Sequence, residues 1–348
     1  AATIAAGLMP PNAKAWDHPG HMATAAIAFA EIKRERPELI EKIGLLMLKH
    51  PDPAPFWVAA EESHGNERTR RMFIQGSRWP DDARWTAQDR PAWHSARWVV
   101  VAADAPPKTR KLAQSRGGTA VGQAIQALTL NAAVMTDPES KPNERALALT
   151  WVLHIMGDLH QPLHTADLFS KQYPTGNPAG GMGYVADPLA NAGVQLHLLW
   201  DSHTRRSVRL KDVDGYARDI VEQFPRSALS ELKPYQGPGD FIKWARESYQ
   251  VAADWAYEIN TMPDPEPDPD KVVQKIVKYI LIGASPVEGA PAVPEKYWAK
   301  VQEVSTRRLA LAGYRIADLI LAAADRIETE RSLHRQALDA LEGRYVPR

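Results

Sequence analysis

The sequence predicts a mainly α-helical fold: one compact domain with a short irregular or hairpin loop region. Three observations carry this expectation. Segment after segment places apolar residues at helical spacing and stops at a proline or a Pro/Gly cluster. Residues 171 to 193 are instead rich in Gly, Pro, Asn and Asp and read as a loop with room for a short hairpin. No solenoid-type repeat is present, and the chemically distinctive residues span 16 to 201, so they must converge within one domain.

Taken in order, 21 to 36 carries Ile27, Phe29 and Ile32 among small residues and ends at Pro37. The next helix runs from Leu39 to Lys49 and stops before Pro51-Asp52-Pro53. A third is expected from Glu67 to Ile74, leading to Trp79-Pro80. Val121 to Val134 has a one-sided apolar pattern (Val121, Ile125, Leu128, Ala132). Asn143 to Asp158 stacks Leu147, Trp151, His154 and Asp158 on neighbouring turns, and Pro162 ends or kinks it. Asp214 to Phe224 and Asp240 to Ile259 are helical. Pro263 to Pro269 is an acidic, proline-rich, stiff connector. Pro294 to Glu328 is a long final helix, and a basic tail follows Glu330. The expected organisation is an arm at 1–15, a single α-helical domain at 16–330 and a tail at 331–348.

The 348 residues are 44% hydrophobic and 24% charged, the profile of an ordinary globule. Formal net charge is +0, so no basic footprint points to duplex nucleic acid or an anionic membrane. A phosphate substrate stays open, because bound dications would add positive charge locally. Cysteine is absent, so no disulfide is needed and the thiols say nothing about compartment. No apolar run approaches the ~18 residues that span a bilayer. Small residues at Ala13 and Ala15 before Trp16 fit signal-peptidase cleavage, which makes 1–15 a leader remnant or a disordered arm. An exported protein, periplasmic or extracellular, is the corresponding expectation.

The densest chemistry lies in Leu153-His154-Ile155-Met156-Gly157-Asp158-Leu159-His160-Gln161-Pro162-Leu163-His164, followed by His197-Leu198-Leu199-Trp200-Asp201. His154/Asp158 and His197/Asp201 are i, i+4 pairs, so each pair faces one way on a helix. Burying this many titratable groups is expensive unless a metal neutralises the carboxylates and fixes the imidazole tautomers. Imidazole and carboxylate without thiolate suit a catalytic zinc cluster more than a structural zinc finger. His154, Asp158, His164, His197 and Asp201 are therefore candidate ligands. His160 points elsewhere on any geometry shared by His154 and His164 and reads as a supporting residue. Trp16-Asp17-His18-Pro19-Gly20-His21 and Arg78-Trp79-Pro80-Asp81-Asp82-Ala83-Arg84 are weaker units that, alone, read as loop and core packing.

Together the pattern is specific. Trp…Gly-His, Trp-x-Asp-x-x-Arg, Trp-His, His-x3-Asp-x-x-Gln-Pro-Leu-His and Leu-His-x-x-Trp-Asp, in that order from Trp16 to Asp201, resemble the zinc-dependent single-strand-specific nucleases and 3′-nucleotidases. These are relatives of the bacterial zinc phospholipases C, and the stretch from Ala310 to Leu319 is similar to that family's last helix. The resemblance implies three zincs. One would take Asp81, His94, His154 and Asp158. A second would take His21 and Trp16, through the latter's free α-amino group and carbonyl, sharing Asp158. The third would take His164, His197 and Asp201. Trp16 can serve only if the chain is cut after Ala15; otherwise two zincs are expected. Arg84 matches the arginine near the scissile phosphate, and Asp81 is preferred to Asp82 because it keeps the spacing to Arg84.

Departures lie outside the metal frame: Gly180-Gly181-Met182 for Gly-Gly-Asn, Gln195 for asparagine, Ser202 for a common asparagine or small polar residue, and Ser95 where an aromatic is frequent. They bear on base preference and substrate size. Two zincs ~3.5–4 Å apart can bridge a water and lower its pKa from about 15.7 towards ~7. Asp158 would fix that spacing, and Arg84 would neutralise charge on the phosphoryl oxygens. The implied activity is cleavage of single-stranded DNA or RNA to 5′-phosphate products by zinc-activated hydroxide, with 3′-nucleotide dephosphorylation as a companion. Unpaired bases offer faces for stacking, for which Trp93, Trp98 and Tyr184 are candidates. Neither membrane insertion nor a protein partner is implied. Two rivals remain at this point: a phospholipase C-like hydrolase of phosphodiester headgroups, and a non-catalytic helical protein with closed metal sites. Glu61-Glu62-Ser63-His64 also suggests a di-iron bundle, but that needs a second Glu-x-x-His on another helix.

Overall fold

The computed structural model describes residues 16–189, 193–203, 207–264 and 289–341, with side chains described as far as 327. The arm at 1–15, the connector residues 265–269 and the last seven residues of the tail lie outside the described residues.

The chain is mainly helical. In order it forms α1 (His18–Glu35), α2 (Leu39–Met47), α3 (Ala54–Ala60), α4 (Gly65–Asp82), a 3-10 turn (Pro91–His94), β1 (Trp98–Val101), α5 (Pro107–Ser115), α6 (Ala124–Thr136) and α7 (Pro142–Asp158). A second 3-10 turn (Pro162–Thr165) leads into β2 (Ala166–Phe169), β3 (Asn177–Pro178), β4 (Gly183–Ala186), β5 (Gly193–Gln195) and α8 (Leu196–Asp201). Then come α9 (Leu210–Gln223), α10 (Gly239–Val251) with a π-helical turn (Ala252–Ala256), β6 (Met262–Pro263) and α11 (Glu295–Leu341). Among the described residues no helix is long and apolar enough to cross a membrane.

Local chemistry explains most boundaries. Asp17 caps α1 by accepting from Gly20 N at 3.1 Å, with Pro19 in the first turn. Pro142 opens α7, where Glu144 reaches back to Lys141 N at 3.2 Å. Three expectations change. The helix expected to stop at Ile74 continues through Pro80 to Asp82; a proline in the last turn removes only one i→i−4 bond, and α4 packs on α1, α2 and α7. Val121 does not begin α6 but bridges Arg97, each donating to the other at 2.7 Å. The final helix runs on through the expected tail to Leu341.

The loop at 171–193 does contain a hairpin: β4 pairs antiparallel with β5 and with β6. No pattern in the sequence signals β1, which pairs parallel to β2 in the register Trp98↔Ala166 to Val101↔Phe169. One core lies between α1, α2, α4, α6, α7, α9, α10 and α11. A smaller one lies under β4, β5 and α8, around Leu163, Val185, Leu199 and Trp200. α11 crosses α1 at Gly313, where a Cβ would stand 2.7 Å from Ile27 Cβ.

Candidate metal centre

Three helices end at one place. α4 ends with Asp81 and Asp82, α7 with Asp158 and α8 with Asp201. One turn back on α7 and α8, on the same faces, sit His154 and His197. The 3-10 turns deliver His94 and His164, and the first turn of α1 delivers His21. Asp81, Asp158, Asp201 and the five histidines are buried, whereas Asp82 is exposed.

Their ligand atoms form three groups able to hold a metal ion: His21, His154 and Asp158; Asp81, His94 and His154; His164, His197 and Asp201. Asp158 is the junction. Its Oδ2 lies 3.1 Å from His94 Nδ1 and 3.3 Å from His154 Nε2, and its Oδ1 lies 3.4 Å from His21 Nε2 and 3.7 Å from His164 Nδ1. His154 Nε2 is 3.8 Å from Asp81 Oδ1 and 2.9 Å from His94 Nδ1. His197 Nε2 is 3.1 Å from Asp201 Oδ2.

Backbone carbonyls set three of the imidazoles. His154 Nδ1 meets Ser77 O at 2.8 Å, His164 Nδ1 meets His94 O at 2.5 Å, and His197 Nδ1 meets Ala179 O at 2.9 Å. With Nδ1–H donating, each Nε2 carries a lone pair, the arrangement that orients metal-binding histidines. Gln161 holds Asp201 by donating to Oδ1 at 2.5 Å. Asp17 N donates to Asp201 O at 3.0 Å, and Trp16 Nε1 to Gly157 O at 2.9 Å, so the start of α1 is tied to the ends of α7 and α8.

The donor set fits dications. Buried His94 Nε2, His164 Nε2, Asp158 Oδ1 and Asp201 Oδ2 make no hydrogen bond. Such groups are costly to bury unless something coordinates or neutralises them. Burial opposes ionisation of Asp158, but His154 and His164 beside it outweigh that and hold its pKa well below the usual carboxylate range. Burial pushes His21 and His94 down, towards the neutral form a metal requires.

Asp82 is turned away: it takes Arg78 Nε and Nη2 at 2.8 and 2.9 Å. Arg84 lies at the centre, donating to Asp81 Oδ1 from Nε at 3.1 Å and Nη2 at 2.6 Å. Trp16 is buried against His203 and Gly157. His160 faces the other way, with Nδ1 2.7 Å from Met156 O and Nε2 2.9 Å from Arg315 Nη1. Glu61, Glu62 and His64 are exposed in the turn between α3 and α4 and do not stand on a helix.

The aromatic candidates fare differently. Trp98 and Tyr184 are buried, and Trp93 packs edge-on against Trp151. The exposed tryptophan beside Arg84 is Trp85, which is 69% exposed and in left-handed backbone (φ 67°), with its N–H held by Asp89 Oδ2 at 3.0 Å. Sequence reasoning also passed over Gln161 as a positioning residue, although its motif was noted. The carbonyls of Ser77, His94 and Ala179 carry no side-chain signal.

The model of one family, S1/P1 Nuclease, matches residues 16–325. The chain belongs to the S1/P1 nuclease family. Relatives include Nuclease S1 of Aspergillus oryzae, 25% identical over 244 residues, covering 69% of this chain and 75% of that protein. Nuclease P1 of Penicillium citrinum and Nuclease PA3 of a Penicillium species are each 22% identical, covering 70% of this chain and 81% of theirs. The S1/P1 match begins at Trp16 and includes every candidate ligand. Membership makes the chain a hydrolase of phosphodiester bonds in nucleic acid.

Proposed function

We propose that the three groups hold zinc and that the chain cleaves single-stranded nucleic acid to 5′-phosphate products, with 3′-nucleotides as companion substrates. The observation that carries this reading is Asp158, a buried carboxylate within 3.1 to 3.7 Å of four imidazoles. His21, Asp81, His94, His154 and Asp158 would hold two ions, and His164, His197 and Asp201 the third. Trp16 would add its α-amino group to the His21 ion in an exported chain cut after Ala15. When bound, zinc supplies Lewis-acid polarisation of a phosphoryl oxygen and lowers the pKa of water at an open position.

The protein's own groups do the rest. Asp158, held ionised, keeps the His21 and His94 sides in register. Gln161 aims Asp201, and the carbonyls of Ser77, His94 and Ala179 aim three imidazoles. Arg84 spends Nε and Nη2 on Asp81, and its Nη1 makes no hydrogen bond among the described residues. Its side chain is 17% exposed, so that donor can meet charge building on phosphoryl oxygens. Trp85 offers the next nucleotide an aromatic face that a paired base cannot use.

The test compares single-stranded DNA, a matched duplex and phosphatidylcholine at equal zinc, with metal counted per chain. Preferential cleavage of the single strand, three zincs and loss of both on chelation are expected. Hydrolysis of the lipid without the DNA would overturn the reading.

A further inference from the structure

One cation beside the centre has no part in the scheme above. Arg97 lies three residues after His94 at the entrance to β1, and its neighbour Ala96 donates to His164 O at 3.0 Å. Arg97 Nε donates to Asp167 Oδ1 at 2.7 Å, and Nη1 donates to Ser95 Oγ. Nη2 makes no hydrogen bond among the described residues. Asp167 does not use up the charge around it. Its Oδ1 also accepts Ala179 N at 3.0 Å, and Arg116 Nη1 stands 4.0 Å from Oδ2. Two arginines thus face one buried carboxylate, which leaves a surplus positive charge.

The link to the centre is short. Ala179 is the residue whose carbonyl holds His197 Nδ1 at 2.9 Å. One carboxylate and the backbone of one residue, Ala179, therefore separate Arg97 from His197. Arg84 occupies the matching place beside Asp81 and His94. Both arginines are mostly covered yet reach solvent, with side chains 17% and 16% exposed. In the scheme above Arg84 meets the reacting phosphate, which leaves Arg97 for a second anion.

We propose that Arg97, with the Ser95 hydroxyl, seats the phosphate next to the one being cleaved, and so favours polynucleotides over 3′-mononucleotides. This rests on the nuclease reading. The planar fork of Arg97 keeps a free Nη edge for an anion while its other donors hold it in place. Ser95 Oγ accepts from Arg97, which leaves its hydrogen to donate to the same anion.

The zinc-loaded enzyme and its Arg97→Ala and Arg97→Gln variants would be assayed on a short single-stranded oligonucleotide and on a 3′-mononucleotide over a series of salt concentrations. Gln keeps donors for Asp167 and Ser95, so it guards against a folding failure of the Ala variant. In both variants KM for the oligonucleotide rises about tenfold more than for the mononucleotide, as for a lost charge-assisted hydrogen bond. The slope of log KM against log salt becomes shallower by about 0.7 for the oligonucleotide. Equal losses on both substrates, an unchanged salt slope, or a fall in zinc content that accounts for the loss would overturn the proposal. If wild-type enzyme cleaves no oligonucleotide, the nuclease reading itself has failed.

Discussion

Gly157→Ala pits helix propensity against metal geometry at one atom. Gly157 is in the last turn of α7, where alanine should be worth about 1 kcal/mol of helix stability. The added Cβ, however, would stand 2.6 Å from His21 Nδ1 and 2.8 Å from its Cε1. The first distance is 0.8 Å short of an ordinary 3.4 Å contact. His21 cannot yield easily: it is fully buried and stacked on His154 with centroids 4.0 Å apart. Metal–ligand distances tolerate only about 0.2 Å, so a shift of this size removes His21 as a ligand. Steric repacking of about 1–3 kcal/mol offsets or exceeds the propensity gain. Gly215→Ala in α9 is the control, because nothing lies within 4 Å of its Cβ; there the melting temperature should rise by about 1 °C. Zinc per chain after dialysis at buffered free zinc, cleavage of single-stranded DNA and melting temperature are the readouts. Gly157→Ala should hold one zinc fewer and lose at least about a hundredfold in rate, since a catalytic metal supplies several kcal/mol. Full zinc content and wild-type rate in Gly157→Ala would refute the placing of His21 in the centre.

Gln161→Ala should weaken zinc at the His164/His197/Asp201 group about 10- to 100-fold, read by competition with a chelating dye, because Asp201 Oδ1 and Leu163 N lose their partner. Exhaustive chelation should abolish cleavage and lower the melting temperature, and zinc should restore both; a melting temperature indifferent to metal would count against filled sites. Trp85→Ala should raise KM for single-stranded DNA about tenfold while leaving zinc content alone, the worth of one lost stacking contact; an unchanged KM removes Trp85 from the substrate path. Burial pushes His50 down from 6.5 to about 4. Its contribution is therefore complete above about pH 6.5 and is lost as pH falls towards 4. In metal-free protein, urea unfolding should show the stability margin of wild type over His50→Gln shrinking by about 3 kcal/mol between pH 7 and 4; a constant margin would contradict it.

What the sequence made legible follows from what helices encode locally. The pairs His154/Asp158 and His197/Asp201 could be placed on common faces because i, i+4 geometry needs no tertiary information. The choice of Asp81 over Asp82 rested on spacing, and the reason lies in the helix: adjacent residues point about 100° apart, and Asp82 turns to Arg78. Contacts made by backbone carbonyls were not legible, because any residue could stand at Ser77 or Ala179. Neither was the helix through Pro80, where tertiary packing overrides a local breaker. The short parallel pair β1/β2, which brings Arg97 and Asp167 together, has too few residues to show a period. Trp85 was missed for a related reason: exposure and a left-handed backbone are not visible in composition.

The centre also breaks a local rule three times at one point. The C-terminal end of a helix carries partial negative charge, so an aspartate there is unfavourable and a lysine or arginine is preferred. α4, α7 and α8 nevertheless end at Asp82, Asp158 and Asp201, with Asp81 one residue earlier. Asp81, Asp158 and Asp201 are buried, and Arg84 is the cation bonded directly to one of them. One such end could be an accident of packing. Three converging ends, each adding a carboxylate to a negative pole, concentrate repulsion that the apolar core cannot relieve. Local conflicts of this kind mark functional sites. A compact, multiply charged ion would relieve that repulsion, and the three His/Asp groups able to hold a metal ion lie where these helix ends meet.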